Sequence, residues 1–289
     1  MEKQKRAYLC AFAAVLLWST SASAFKISLR YVDVFSLLFY ASITSTVAFF
    51  IYILFSNRLS LFKNLSGKDY LYSALLGFLN PFLYYAVLFK AYSILPAQEA
   101  QPLNFIWPIT LVLLSIPLLK QKIKSKDIVA TFISFAGVFV ISTRGDILGF
   151  KFTNTLGVSL ATGSSIIWAV FWIYNVRDKR DEVVRLFLNF AFGSVIIFLS
   201  MLLFARVELP GLYGLLGAAY VGLFEMGITF LLWLKALKLS KTTAHVTNLI
   251  YLVPFLSLVL ISFTVGEKIL PSTITGLIFI IGGIILQRL

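Results

Sequence analysis

The chain has 289 residues, of which 60% are hydrophobic and 13% charged, whereas a soluble domain carries roughly 45–50% apolar and about 25% charged residues. So few charges cannot clothe a water-facing surface, which excludes an ordinary soluble protein. The net charge of +13 does not point to nucleic acid, because Lys and Arg fall in short runs between long apolar stretches, and the one cysteine, Cys10, excludes an intrachain disulfide.

A bilayer core of ~30 Å needs about 20 apolar residues in a helix. Ten stretches answer to this within a few residues: 7–27, 34–55, 70–92, 97–119, 128–143, 155–176, 184–205, 211–237, 243–264 and 271–287. The expected fold is an all-α membrane protein of ten transmembrane helices. The first stretch follows Lys3, Lys5 and Arg6 and ends in Ser21-Ala22-Ser23-Ala24, which also reads as a secretory signal with a cleavage site. Its counterpart in mid-chain, described below, favours an uncleaved first span.

Of the 25 Lys and Arg, 18 fall on the side of the first residues and 7 on the other. By the positive-inside rule both termini are expected in the cytoplasm, in a prokaryotic plasma (inner) membrane. The same basic residues suit contact with anionic headgroups.

The two halves match at a nearly constant offset. Leu17-Trp18-Ser19 stands 150 residues before Ile167-Trp168-Ala169; Gly77 and Lys90 precede Gly222 and Lys235 by 145; Pro108 precedes Pro254, and Gly137 precedes Gly283, by 146. The expected units are residues 1–146 and 147–289, five spans each, together forming one transporter domain. An odd number of spans inverts one half relative to the other in the membrane. Inverted repeats are a signature of secondary transporters, because each half can adopt the other's conformation about a central site. Pro108 and Pro254 are expected near the middle of the fourth and ninth spans as hinges, since proline removes a backbone donor and crowds the preceding turn. A packing kink without functional meaning is the alternative. Pro81 and Pro102 add irregularity to the first half.

Polar residues inside a membrane usually face a partner or a cavity. Ser164, Trp168, Trp172 and Asn175 recur at helical spacing in the sixth span, and Gly77, Asn80 and Tyr84 in the third. Asn104 with Trp107, Asn248 with Tyr251, and Trp18 complete the expected substrate cavity: flat apolar faces and a few amides and hydroxyls, suited to a small amphiphile or an ammonium group. Helix packing or an interfacial belt is the alternative for the tryptophans. Two carboxylates lie within spans, Glu225 in the eighth and Glu99 in the fourth. Either could couple transport to protons, gate it, or pair with a substrate ammonium; Glu225 as a neutral core group and Glu99 as a solvated end residue are the alternatives. His245 reads as an interfacial residue, and Lys90 and Lys235 as side chains reaching to the headgroups.

The repeated pattern of Leu-Trp, a long span ending in Lys-Ala (Lys90-Ala91, Lys235-Ala236), a span with proline, and Gly266-Glu267-Lys268 resembles the EamA repeats of the drug/metabolite transporter superfamily. In the first half the last element is Leu119-Lys120-Gln121-Lys122, a departure at a loop position. Within the superfamily, Leu17-Trp18-Ser19-Thr20, Glu99 with Asn104, Trp107 and Pro108, Trp168 with Phe171 and Asn175, and Tyr251 with Pro254 and Ser257 are similar to the bacterial aromatic-amino-acid exporters. The resemblance implies ten spans, a central cavity lined by spans one to four and six to nine, peripheral fifth and tenth spans, and export of amino acids or related metabolites.

No enzyme is expected, because one His, one Cys and scattered carboxylates make no catalytic cluster. No cofactor or metal is expected, and no GxxxxGK[ST] run is present for ATP. A channel would show a filter or a ring of like residues. The expected partners are a small-molecule substrate, the lipid bilayer and protons as a coupling ion, with transport of another amphiphile such as a quaternary amine or drug as the alternative.

Overall fold

The computed structural model describes residues 2–95, 103–143, 145–149, 154–204, 209–265 and 270–288, and among these every regular element is a helix. In lipid a chain must bond its own backbone, and the α-helix does so within one segment. The first half holds α1 (Glu2–Ser28), α2 (Val34–Phe55), α3 (Gly67–Gly77), α4 (Tyr84–Ile94), α5 (Trp107–Leu119) and α6 (Ser125–Ser142). The second holds α7 (Thr155–Arg177), α8 (Glu182–Phe204), α9 (Leu212–Tyr220), α10 (Ile228–Leu239), α11 (Thr243–Thr247), α12 (Leu252–Val265) and α13 (Pro271–Arg288).

Local chemistry sets the ends. Asp33 caps α2 by accepting from the N–H groups of Phe35 and Ser36 at 2.9 and 3.1 Å. Asp69 in the first turn of α3 accepts from Ser66 N–H at 2.8 Å, and Asn154 caps α7 through Gly157 N–H at 2.9 Å. Each cap satisfies a donor that the first helical turn leaves unpaired. Lys120, in the left-handed region at φ 53°, ends α5.

Two rods change winding midway. Between α3 and α4 the helix breaks at a kink, with Asn80 extended at φ −155° and ψ 123°, whereas a π-wound turn, Val221–Gly227, joins α9 to α10. Between α11 and α12 the chain tightens into a 3₁₀ turn, Asn248–Tyr251.

The two prolines have different surroundings. Pro108 is the second residue of α5 and Pro254 the third of α12. Pro108 follows two turn residues, where a missing N–H costs little, whereas Pro254 lies midway along the unbroken helical run 243–265, three residues after its 3₁₀ turn. The irregular backbone lies just upstream, at Phe105–Ile106 and Asn248–Tyr251.

Among the described residues, six helical stretches are long and apolar enough to cross a membrane: Glu2–Phe25, Val34–Phe55, Gly67–Leu88, Thr155–Arg177, Glu182–Phe204 and Leu212–Leu239. Trp107–Leu119 and Pro271–Gln287 are shorter apolar helices. Exposed residues recur with helical period: Leu9, Phe12 and Leu16 on α1; Val47, Ile51 and Leu54 on α2; Val195, Leu199 and Leu202 on α8; Ile274, Ile278, Ile281 and Ile285 on α13. Apolar stripes of this length on an outer surface suit lipid and not water.

Inside, α1 packs on α10 and α12, α7 on α4 and α5, α2 on α8, and α6 on α13. Glycines let the backbones touch. A Cβ on Gly77 would strike the carbonyl of Asn189, one on Gly222 would come within 2.5 Å of the carbonyl of Ala41, and one on Gly283 within 2.6 Å of that of Ala130.

Candidate functional site

Four tryptophans from four helices meet at the centre of the bundle: Trp18 of α1, Trp107 of α5, Trp168 of α7 and Trp233 of α10. Trp18 lies 6.4 Å from Trp107, 6.1 Å from Trp168 and 5.7 Å from Trp233; Trp107 lies 6.0 Å from Trp168 and 5.7 Å from Trp233. Most pairs are edge-to-face or steeply tilted, the arrangement that ring quadrupoles favour, and each contributes about 0.5–1.5 kcal/mol beyond burial. Trp172, one turn after Trp168, extends the cluster at 5.7 Å, and Phe230 closes its side 5.0 Å from Trp172. Tyr84 of α4 reaches the cluster at 4.3 Å from Trp168.

Polar groups border these rings. The Asn104 amide donates to the Tyr84 hydroxyl at 3.3 Å and to Ser164 Oγ at 3.2 Å, tying α4 and α7 to the residues before α5. The Tyr85 hydroxyl lies 2.7 Å from each carboxylate oxygen of Glu225. Asn80 and Asn248 are fully buried, and neither amide has a hydrogen-bond partner; the indole N–H groups of Trp168, Trp172 and Trp233 also lack one. Buried polar atoms are normally paired, and Trp168, Trp172 and Trp233 leave three unpaired indole N–H groups within the ring cluster itself.

Of the residues expected to line a cavity, Trp18, Tyr84, Asn104, Trp107, Trp168 and Trp172 are brought together. Asn80 lies four residues before Tyr84 at the kink between α3 and α4, and Asn248 opens the 3₁₀ turn. Tyr251 stands apart. It packs with Ile109, Val138 and Ile280, with its ring 6.3 Å from Phe135 of α6. Three residues of 3₁₀ winding turn a side chain roughly 60° further than α winding does, which accounts for the misplacement. Glu99 and the Gly266-Glu267-Lys268 element lie outside the described residues.

Two features escaped the sequence reading. Trp233 follows Glu225 by eight residues, which in a straight α-helix would set it roughly 80° away; the bond from Ile228 N–H to Leu223 O, five residues back, widens the turn between them. The second is a clasp of charges at the end of the bundle that holds most of the basic residues. Arg180 donates to both oxygens of Asp178 at 2.6–3.1 Å and to the backbone carbonyl of Asp69 at 2.8 Å. Its guanidinium lies 5.6 Å from the centre of the Tyr72 ring. Asp181, which caps α8, holds Arg58 at 2.6 Å, and Glu182 holds Lys238 at 3.6 Å. The α7–α8 connection is thereby fastened to α3, to the residues after α2, and to α10. Beside it lies a cavity of about 350 Å³ lined by Asp69, Tyr72, Tyr174, Arg177, Asp178 and Arg180.

The profile of the EamA-like transporter family matches residues 5–143 and, again, 155–288. The chain belongs to the EamA-like transporter family. It is similar to an uncharacterized transporter of Archaeoglobus fulgidus, 25% identical over 284 residues, covering 97% of this chain and 94% of that one. It is also similar to an uncharacterized transporter of Clostridium kluyveri, 26% identical over 77% of this chain and 73% of the relative. A third relative is the uncharacterized transporter YvbV of Bacillus subtilis, 27% identical over 75% of this chain and 70% of the relative. A solved crystal structure superposes with a TM-score of 0.82 over 97% of this chain and 95% of the other, at 23% identity, and so shares its fold. This EamA-like chain is a membrane transporter; the names of these three relatives specify no substrate.

Proposed function

We propose that the protein is a secondary transporter that exports or exchanges small metabolites, amino acids with aromatic or neutral side chains foremost, by alternating access about the tryptophan cluster. The observation that carries this reading is the cluster itself. It draws Trp18 and Trp107 from the first family-matched segment and Trp168 and Trp233 from the second, and the indole N–H groups of Trp168, Trp172 and Trp233 have no partner. Ring faces with a few unpaired polar groups suit a small solute with a flat apolar body. The resemblance of the first, fourth, sixth and ninth stretches to the aromatic-amino-acid exporters points the same way.

The reading includes ten spans in two inverted five-helix repeats, residues 1–146 and 147–289. Packing supports it: α1 lies on α10 and α12 as α7 lies on α4 and α5, the exchange expected of two halves related by a two-fold axis. Both termini then face the cytoplasm of a prokaryotic cell, and the clasp around Arg180 closes the cytoplasmic end in the conformation described. Pro108 and Pro254 stiffen the helices just beyond the two irregular turns and define hinge positions. Glu225, and Glu99 in the fourth stretch, are the carboxylates through which protons could couple or gate transport.

Counterflow in proteoliposomes tests the proposal. Vesicles preloaded with an unlabelled neutral or aromatic amino acid should accumulate the labelled compound transiently above equilibrium. Entry that rises linearly with concentration, without overshoot, would refute a carrier.

A further inference from the structure

Glu225 sits in the π-wound turn between α9 and α10 and is 7% exposed. The offset of 145 residues that relates Gly77 to Gly222 also relates Asn80 to Glu225, so each half carries a buried polar side chain where its long helix departs from α winding, Asn80 at a kink and Glu225 in the π-wound turn. A π-type turn holds an extra residue and is a frequent mark of a functional position inside a helix.

The surroundings of Glu225 are incomplete for a carboxylate. Both oxygens face the one hydroxyl of Tyr85 at 2.7 Å, and a hydroxyl has a single proton to give. Among the described residues no Lys, Arg or His forms an ion pair with it. A carboxyl buried in this way stays neutral on its own and holds a charge only when a cation lies beside it, so a positive group that arrives next to Glu225 is the partner its ionised form lacks. Aromatic rings lead from it to the cluster: Tyr85 lies 4.9 Å from Tyr84, and Tyr84 lies 4.3 Å from Trp168. Ring faces of this kind attract cations as well as apolar bodies.

We propose that Glu225 seats the ammonium group of the transported solute, whose apolar body lies against Tyr84 and Trp168. Tyr85 is a positioning residue that orients the carboxylate. The proposal rests on the transporter reading of the same cluster and adds what the site requires of its substrate: an amino group.

Binding to the purified full-length protein is followed by tryptophan fluorescence with three probes, L-phenylalanine, 2-phenylethylamine and 3-phenylpropionate. The wild type should bind both amino-bearing probes at least about tenfold more tightly than 3-phenylpropionate. Glu225→Gln keeps the shape without the charge and should weaken the two amino-bearing probes about tenfold, with 3-phenylpropionate unchanged within about twofold. If Glu225→Gln does not fold, Tyr85→Phe carries the test, with a several-fold loss for the same two probes alone. Equal affinity of the wild type for the amine and the acid, binding of neither amino-bearing probe, or variants that retain full affinity for them would overturn the proposal. Counterflow on the same preparations separates the two levels: a protein that transports solute without discriminating the amino group loses only this inference, whereas one without counterflow loses the transporter mechanism.

Discussion

Arg180 grips Asp178, two residues before it, through Nε at 3.0–3.1 Å and Nη2 at 2.6 Å, and turns its remaining amino group onto the backbone of Asp69. The planar guanidinium satisfies a carboxylate and a carbonyl at once, which the point charge of lysine cannot do. Both side chains are largely buried, so the contact is screened less by salt than an open surface pair.

The first prediction follows from that clasp. Arg180→Ala should raise the population open at this end, and Arg180→Lys should rescue it only in part. Ser73, buried one turn beyond Asp69 on α3, offers a reporter. A cysteine introduced there should react with a maleimide about tenfold faster in the Arg180→Ala background, equivalent to ~1.4 kcal/mol lost from the closed state. An unchanged rate would show that the charges serve only local stability.

A second prediction concerns the glycine contacts. Ala at Gly77 or Gly222 drives a methyl group into the backbone of a neighbouring helix, at Asn189 and Ala41 respectively. Such overpacking destabilises by about 1–3 kcal/mol. At Gly163 no atom lies within 4 Å of an added Cβ, and alanine is the better helix former there. Thermal unfolding in detergent should therefore fall for the first two variants and hold or rise for Gly163→Ala. Equal behaviour of all three would contradict the close approach.

The third prediction separates packing from recognition at Trp168. Trp168→Ala removes a buried ring, a change that typically costs about 3–5 kcal/mol, and should lower both stability and transport. Trp168→Phe keeps most ring contacts and deletes the unpaired N–H. It should fold near wild type while binding solute several-fold more weakly. Wild-type binding by Trp168→Phe would make this tryptophan a packing residue.

How much of this was legible in the sequence depended on whether the relevant contact was local. The apolar stretches were readable because a run of about 20 apolar residues is a local pattern, and Trp18 and Trp168 stood out because they match across the two halves. The winding changes were not. Pro81 gave a hint for the kink after α3, but Val221–Gly227 contains no proline; Trp233 was not singled out, and helical spacing from Asn248 brought Tyr251 in. The clasp was hidden for a different reason. Asp178, Arg180, Asp181 and Glu182 read as ordinary loop charges, and their partners Arg58, Asp69 and Lys238 are distant in sequence.

The fourth prediction revises the role of the prolines. Pro108 stands in the first turn of α5, and Pro254 closely follows the 3₁₀ turn that joins α11 to α12. Alanine at either position should change stability by no more than about 1 kcal/mol. It should leave solute affinity within a few-fold and slow exchange, because the rigid start of α5 or α12 is lost. Stopped-flow exchange beside equilibrium binding checks this; wild-type exchange rates would remove the prolines from the mechanism.

The central claim, a carrier working about the tryptophan cluster, is tested most directly by counterflow with reconstituted wild type and Trp168→Ala at equal amounts of folded protein. The account predicts a transient overshoot of labelled amino acid with the wild type, saturating with concentration, and its loss in Trp168→Ala. An overshoot of the same height and rate in both proteins would contradict it.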